Sequence, residues 1–152
     1  MSTNILITSV GKRVSLGKFF QKELKEYCKG SKVYTTDMNP KMSPAAHISD
    51  GCFKVSRVTA NGYIGELLNI CLKNSIKIVI PTIDTELIVL AKNKELFKSH
   101  GIDIIVSDID FIITCRDKRN SYQLFDKLGI NYPKLIDKNN PTFPLFAKPY
   151  DG

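Results

Sequence analysis

Short β-branched, apolar runs alternate with amphipathic helical segments along most of the chain, and this alternation restricts the fold more than any other sequence feature. The runs predict strands at residues 4–10, 32–36, 52–55, 76–80 and 102–106. Between the first two runs, Leu16, Phe20 and Leu24 keep the spacing of one helix face. The pattern predicts an α/β fold, a Rossmann-like open parallel sheet with helices on both faces. Ligands on such sheets bind at the carboxyl ends of the strands.

The other segments complete this prediction. Residues 38–49 contain two prolines and are predicted as a loop, whereas residues 86–98 are predicted as one helix. Residues 108–128 are predicted as helical, in two pieces that meet near Thr114. A linker then leads to a final short strand at residues 145–148.

Length and composition limit the chain to one domain and part of a second. It has 152 residues, of which 43% are hydrophobic and 24% are charged, and these are ordinary values for a globular protein. We place a domain boundary near Cys115, so that the first domain covers residues 1–115. Residues 116–152 are too few for an independent core and are predicted to begin a second domain.

The formal net charge of +7 suits nucleic acid, an anionic membrane or a polyanionic small molecule such as a nucleoside triphosphate. Because the basic residues are spread along the chain, with no arginine-rich arm, nucleic acid is not an expected partner. A membrane role is not expected either, since no apolar run approaches the roughly 20 residues that cross a bilayer. Cysteines without metal-ligand spacing predict reduced thiols in a cytoplasmic protein, and these are Cys28, Cys52, Cys71 and Cys115.

The loop after the first predicted strand is one candidate site. Gly11, Lys12 and Arg13 precede a predicted helix, whose N-terminal amides favour an anion. The loop matches neither the GxGxxG pattern nor the GxxxxGK[ST] pattern of nucleotide-binding loops. The alternative is a tight turn at Gly11 with two solvated cations.

A second candidate loop follows the fourth predicted strand and carries Thr82, Asp84 and Glu86. These residues face a ligand or, alternatively, cap the next helix and stabilise its dipole. Asp37, at the end of the second strand, is a candidate for binding ribose hydroxyls or for starting the Asn39-Pro40 turn. The two histidines, His47 and His100, have no metal-ligand neighbours and are predicted at the surface.

Two lysines near the end of the chain are further candidates. Lys118 opens the predicted helix that continues to Leu128. Lys148 stands inside the apolar run LFAKP, where a lysine either extends its ammonium from an edge or meets an anion. Composition alone leaves both alternatives open.

The run RDKRNSYQLFDKLGINYPKL, followed after a gap by FPLFAKPYDG, resembles the opening of the ATP-grasp domain. The earlier segments ILITSVGKR, TTDMNP, IPTIDTEL and VSD stand in the order found in the Rossmann-like domain that precedes it. Within this superfamily the whole chain is similar to the carbamoyl phosphate synthase large subunit.

The resemblance implies a chemistry. Lys118 and Lys148 match the family lysines that contact nucleotide phosphates, and the cofactors of the full-length enzyme are ATP and Mg²⁺. The family phosphorylates a small carboxylate, and an amine or similar nucleophile attacks the acyl phosphate. The loops with Gly11 to Arg13 and Thr82 to Glu86 would help to shape the acceptor site.

The sequence departs from the family at Gly152, where the glycine-rich loop is expected to begin. In the family, the hinge that contacts adenine and the magnesium ligands lie further along. We therefore expect this chain to be an N-terminal fragment, or one piece of a split protein, that is inactive by itself. A homodimer or a partner chain carrying the rest of the domain fits this expectation. The alternatives are a non-catalytic nucleotide or nucleotide-sugar binding module, and an assembly module whose apolar strand near residue 145 needs a partner.

Overall fold

The computed structural model describes residues 3–137 and 139–151. Its centre is a five-stranded parallel sheet in the order β3-β2-β1-β4-β5. The strands are β1 (Asn4–Thr8), β2 (Val33–Asp37), β3 (Gly51–Lys54), β4 (Ile76–Pro81) and β5 (Asp103–Ile104). The helices are α1 (Val14–Tyr27), α2 (Pro44–Ile48), α3 (Tyr63–Lys73), α4 (Asp84–Lys92), α5 (Lys94–Ser99), α6 (Ile109–Arg116) and α7 (Lys118–Leu128). The predicted α/β fold with a parallel sheet is confirmed.

Helices cover both faces of the sheet. Successive side chains of a strand point to opposite faces, so a continuous apolar strand makes both faces apolar. Leu6 of β1 packs into one buried cluster with Leu67 of α3 and Leu90 of α4. Its neighbour Ile7 packs into a second cluster with Leu24 of α1. A strand that is covered on both faces is apolar at nearly every position, and this explains the continuous apolar runs of the sequence.

The predicted loop at residues 38–49 is wrong, because it contains a 3₁₀ turn at Pro40–Met42 and helix α2. Both prolines stand in the first turn of these elements, where a missing amide hydrogen costs nothing. The Ser43 hydroxyl accepts a hydrogen bond from the Ala46 amide and caps α2. Here the prolines mark helix starts and not an irregular loop.

The predicted single helix at residues 86–98 is also wrong. The structure has two helices, α4 and α5, which are separated at Asn93. The backbone of Asn93 leaves the helical region at φ −108 and ψ 9, and its side-chain amide donates to the Val89 carbonyl oxygen at 2.8 Å. This local bond competes with the helix, although the apolar spacing continues across the break.

Three predicted strands are shorter than expected or absent. The first ends at Thr8 because Ser9 adopts a φ of 47 and turns the chain, and the fifth is reduced to Asp103–Ile104. At residues 145–148 the structure has no strand pairing, and within the described ranges the closest feature is a single bridge between Asp117 and Asp151. Prolines at positions 144 and 149 flank that run and remove two amide donors. The assembly hypothesis therefore loses the strand edge on which it depended.

The chain divides into two compact units, Met1–Ser107 and Asp108–Gly152. The division lies before Cys115, because α6 contacts α7 and belongs with the second unit. In the second unit, Asp117 caps α7, and Gly129 ends it in the left-handed conformation with a φ of 66. Among the described residues, no helix has the length and apolar character that a bilayer span requires.

Candidate functional site

In the first unit, the carboxyl ends of β1 and β4 lie side by side where the strand order reverses. The chain moves from β1 outward to β2 and β3, then returns to place β4 on the other side of β1. Such a reversal leaves a crevice between two loops that leave the sheet toward opposite faces. These are residues 9–13 after β1 and residues 82–83 after β4.

Glu86 lies inside this unit and connects three elements. Its carboxylate accepts hydrogen bonds from the Thr8 hydroxyl at 2.6 Å, from the Tyr63 hydroxyl at 2.8 Å and from the Ser9 hydroxyl. The side chain is only 1% exposed. The carboxylate also lies in the first turn of α4, where the helix dipole favours a negative charge. Glu86 thereby fixes the ends of β1, α3 and α4 relative to one another.

The same bonds hold a strained backbone. Ser9 has a φ of 47, in the left-handed region that serine rarely adopts. The Ser9 hydroxyl donates to Glu86, and the Ser9 carbonyl oxygen accepts a hydrogen bond from the Thr82 hydroxyl at 2.9 Å. The same Thr82 hydroxyl also lies within hydrogen-bond distance of the Thr8 carbonyl oxygen. A loop in this conformation persists when surrounding contacts fix it. Contacts within the protein therefore fix the conformation of the turn after β1 without a ligand.

Arg13 bridges the two loops of the crevice. Its guanidinium donates from Nη2 to the Thr82 carbonyl oxygen at 2.5 Å, while the residue as a whole is exposed. Lys12 is exposed in the first of these loops, and Asp84 is exposed at the start of α4, directly after the second. The structure thus brings together all of the candidates after β1 and β4. Glu86 is buried, Gly11 and Thr82 are half-buried, and the charged candidates Lys12, Arg13 and Asp84 are exposed.

Asp37 is used by the backbone of its own neighbourhood. One carboxylate oxygen accepts from the Gly11 amide at 3.1 Å, and the other accepts from the Asn39 amide at 2.8 Å. The Gly11 carbonyl oxygen accepts in turn from the Ser43 hydroxyl at 2.7 Å. The turn-starting interpretation of Asp37 is confirmed by its bond to Asn39.

Burial and hydrogen bonding perturb two ionisable groups near this site. Burial, together with the nearby Glu86 carboxylate, raises the pKa of the Tyr63 hydroxyl far above its usual range. Hydrogen bonds from the amide and hydroxyl of Ser56 lower the pKa of Glu66. Tyr63 is therefore a hydrogen-bond donor to Glu86 at any physiological pH, and Glu66 is an ionised acceptor for the β3 loop.

The second unit contains a cleft of about 1020 Å³. Lys118 and Lys148 both line it, although they are far apart in the sequence, and Arg119 lines it as well. Its other lining residues are largely apolar, among them Ile136, Phe143 and Phe146. The two lysines that the sequence singled out thus share one cleft.

Aromatic rings hold two of these cations. The ammonium of Lys148 lies 5.7 Å from the centre of the Tyr122 ring, which stacks on Tyr132 with centroids 4.6 Å apart. The Arg119 guanidinium lies 4.4 Å from the centre of the Tyr150 ring and forms an ion pair with Asp117. That hydrogen-bonded ion pair lowers the pKa of Asp117 to about 2.

Sequence reasoning missed several of these residues. Tyr63 and Ser9 carried no motif, because an isolated hydroxyl reveals its partner only in the folded chain. Arg119 stands within the quoted RDKR run, so the signal for it was present.

His47 and His100 are exposed as predicted. Within residues 3–137 and 139–151, no group of three His, Cys, Asp or Glu side chains could hold a metal ion.

Solved structures with the same fold are carboxylases by name. The biotin carboxylase domain of a single-chain bacterial carboxylase matches with a TM-score of 0.57 at 16% identity, over 85% of this chain and 29% of that one. The complete multifunctional pyruvate carboxylase from Rhizobium etli matches with a TM-score of 0.58 at 14% identity, over 90% of this chain and 13% of that one.

A third match is the biotin carboxylase domain dimer of Hydrogenobacter thermophilus 2-oxoglutarate carboxylase, solved with MgADP, ADP and bicarbonate. It has a TM-score of 0.55 at 16% identity, over 85% of this chain and 28% of that one. The chain therefore spans less than a third of these domains. A search of curated proteins finds no match.

A family model gives the assignment. The model described as "PylC-like, N-terminal domain" matches residues 5–105, which include the whole sheet except its first residue. The match agrees with the resemblance drawn from the strand-end segments and supports the ATP-grasp superfamily. The chain belongs to the PylC-like N-terminal domain family.

Proposed function

We propose that this chain is the N-terminal part of an ATP-dependent carboxylate ligase of the ATP-grasp type, which works through an acyl phosphate. The observation that carries the proposal is the common cleft of Lys118 and Lys148. The sequence context of each lysine predicts contact with an anion, and a fold that brings the two together supports a shared ligand. The likeness to carbamoyl phosphate synthase in particular stays a prediction.

The cleft suits the phosphates of a nucleotide. Lys118 is half-buried and Lys148 is exposed, so their ammonium groups can meet an anion that enters the cleft from solvent. Two cations offset the charge of a polyphosphate and stabilise charge that shifts during phosphoryl transfer. Arg119 forms an ion pair with Asp117, so its contribution to the positive potential of the cleft is partly offset.

The described residues of the cleft do not form a complete magnesium site. Mg²⁺ prefers several oxygen ligands in octahedral geometry, and Asp137 is the one carboxylate among the described residues that line the cleft. The residues present do not fit a magnesium site by themselves, and we assign this chain no magnesium ligands. By the resemblance, those ligands and the hinge that contacts adenine lie in another part of the enzyme, so the 152 residues alone are not expected to turn over ATP.

We assign the acceptor carboxylate to the loops after β1 and β4. Lys12 and Arg13 supply positive charge there, and the Gly11 turn and Thr82 give the crevice its fixed shape. Asp84 is exposed at the same edge, where it can contact a positively charged group of the substrate.

The free thiols of the four cysteines are consistent with a cytoplasmic enzyme.

The test is titration of the ¹⁵N-labelled chain with ATP and equimolar MgCl₂, followed by amide chemical shifts. We expect the shifts to change at residues that line the cleft of the second unit. Lys148→Ala and Lys118→Ala should each weaken binding about tenfold or more, as expected for the loss of a bond to a charged group. Lys127→Ala, an exposed residue of the same helix that does not line the cleft, is the matched control.

Two results would contradict the proposal. Unchanged shifts at millimolar ATP would remove the nucleotide site from this cleft. Shifts confined to residues 9–13 and 82–86 would instead favour a nucleotide-binding module that uses the strand ends.

A further inference from the structure

The start of α7 and the extended segment after residue 147 exchange contacts in a reciprocal way. Arg119 of the helix lies against the Tyr150 ring of the segment, and Lys148 of the segment lies against the Tyr122 ring of the helix. Residues three apart share one face of a helix, and residues two apart share one side of an extended chain. The two cation–π contacts are therefore formed together when the segment lies along the helix.

Main-chain contacts fix the register of this arrangement. The Lys118 amide donates to the Tyr150 carbonyl oxygen at 2.8 Å, and Asp117 and Asp151 form an antiparallel bridge. Asp117 also orients Arg119, whose Nε and Nη2 donate to its carboxylate at 3.0 and 2.6 Å. With the guanidinium plane held in this way, its face rests on the Tyr150 ring.

We propose that these five residues, Asp117, Arg119, Tyr122, Lys148 and Tyr150, form a clasp that positions Lys148 beside Lys118 in the cleft. Arg119, Tyr122 and Tyr150 are then positioning residues for the phosphate site. The inference rests on the proposed function for its chemical purpose, but the clasp itself is a property of this chain.

Lys148 needs such a device because its own segment does not hold it. Residues 145–149 are exposed and form no strand in the part of the chain that the structure describes. A lysine on a freely moving segment would lose the entropy of that segment when it binds an anion. Contacts that order the segment beforehand remove this cost from the binding step.

The clasp also differs from ordinary core packing. Tyr150 is 58% exposed and the Arg119 side chain is 62% exposed, so the pair buries little apolar surface. Removing the Tyr150 ring is therefore expected to release the segment without unfolding the unit. This separation makes a direct test practicable.

The first arm of the test measures hydrogen exchange of the Lys118 amide in the ¹⁵N-labelled chain without nucleotide. Tyr150→Leu keeps an apolar side chain but removes the ring, and we expect exchange about two- to fivefold faster, the size of an exposed cation–π contact. Tyr150→Phe keeps the ring and should preserve the wild-type rate. Tyr27→Leu makes the same change at an exposed tyrosine of α1 and should leave the rate unchanged.

The second arm measures ATP binding to the same variants. Tyr150→Leu should weaken binding by a similar factor, and Tyr150→Phe should restore it. If exchange at Lys118 is the same in Tyr150→Leu as in the wild type, or equally fast in Tyr150→Phe, the clasp is refuted whatever ATP does. If the exchange results hold but the wild-type chain does not bind ATP, the proposed function fails and the positioning role fails with it.

Discussion

Glu86 gives the most demanding test of the physical account of the first unit. Glu86→Ala removes one buried carboxylate and leaves the hydroxyls of Thr8, Ser9 and Tyr63 without their acceptor. Each orphaned hydroxyl costs about 1–3 kcal/mol, and relaxation makes the three losses less than additive. We therefore expect Glu86→Ala to lower the free energy of unfolding by about 3–5 kcal/mol.

Glu86→Gln separates the loss of the charge from the loss of the acceptor. Its amide oxygen can still accept from Ser9 and Tyr63, and its amide nitrogen can donate to the Thr8 hydroxyl, so the expected loss is about 1–2 kcal/mol. The assay is urea unfolding followed by far-ultraviolet circular dichroism. With a slope near 2 kcal/mol per molar urea, Glu86→Ala should lower the midpoint by about 2 M.

The matched control is Glu95→Ala, at an exposed glutamate in the first turn of α5, where we expect a change within about 0.5 kcal/mol. The reasoning is refuted if Glu86→Ala is no more destabilising than Glu95→Ala. It is also refuted if the Ala and Gln variants at position 86 have the same stability.

Three further predictions concern single polar groups. Thr36→Val should stabilise the chain by about 1 kcal/mol in the same urea assay, because the buried Thr36 hydroxyl has no hydrogen-bond partner among the described residues. The control Thr35→Val should destabilise the chain, because it removes the hydrogen bond between the Thr35 and Ser49 hydroxyls at 2.9 Å. Asp37→Ala should cost about 1–2 kcal/mol by depriving the Gly11 and Asn39 amides of their acceptor, with Asp37→Asn costing less; equal losses would contradict the role assigned to both carboxylate oxygens. The Asp117 carboxyl should titrate near pH 2 in a ¹³C NMR experiment, and Arg119→Ala should return its pKa toward 3.8. Since the pKa of Asp117 is lowered in the folded chain, the stabilisation from this ion pair is complete above about pH 3.8 and is lost as the pH falls toward 2. If Arg119→Ala leaves the titration midpoint of Asp117 unchanged, the assigned cause is refuted.

The sequence was sufficient for the sheet and for the edge at which its loops meet. Continuous apolar runs such as residues 76–80 can be buried on both faces only in a parallel sheet, so the pattern leads directly to the architecture. The candidate loops followed from that architecture, since residues after parallel strands must lie at one edge. Element ends were less predictable, as at Asn93, where a side-chain bond to Val89 interrupts an otherwise regular helical spacing.

The orientation of the site residues could not be predicted in the same way. Glu86 stands in a helix start, where a carboxylate can cap the helix, face a ligand or turn inward. Its inward direction is set by hydroxyls that lie 78 and 23 residues earlier in the chain, at Thr8 and Tyr63. Arg119 presents the same difficulty, since its contact with Tyr150 exists only after the final segment folds back onto α7. No local sequence pattern contains such information.

The central position of β1 has a consequence for how the first unit folds. One edge of β1 pairs with β2, which follows soon after it, but the other edge pairs with β4, and the bond from Asn4 to Asn74 spans 70 residues. During synthesis the first strand must therefore stay half-paired until most of the unit has left the ribosome. Closing so long a loop costs conformational entropy before the pairing of the strands stabilises the chain. We therefore expect the pairing of β1 with β4 to be the slow, rate-limiting step of folding. Until then, the unpaired edge of β1 remains exposed to aggregation or to chaperones.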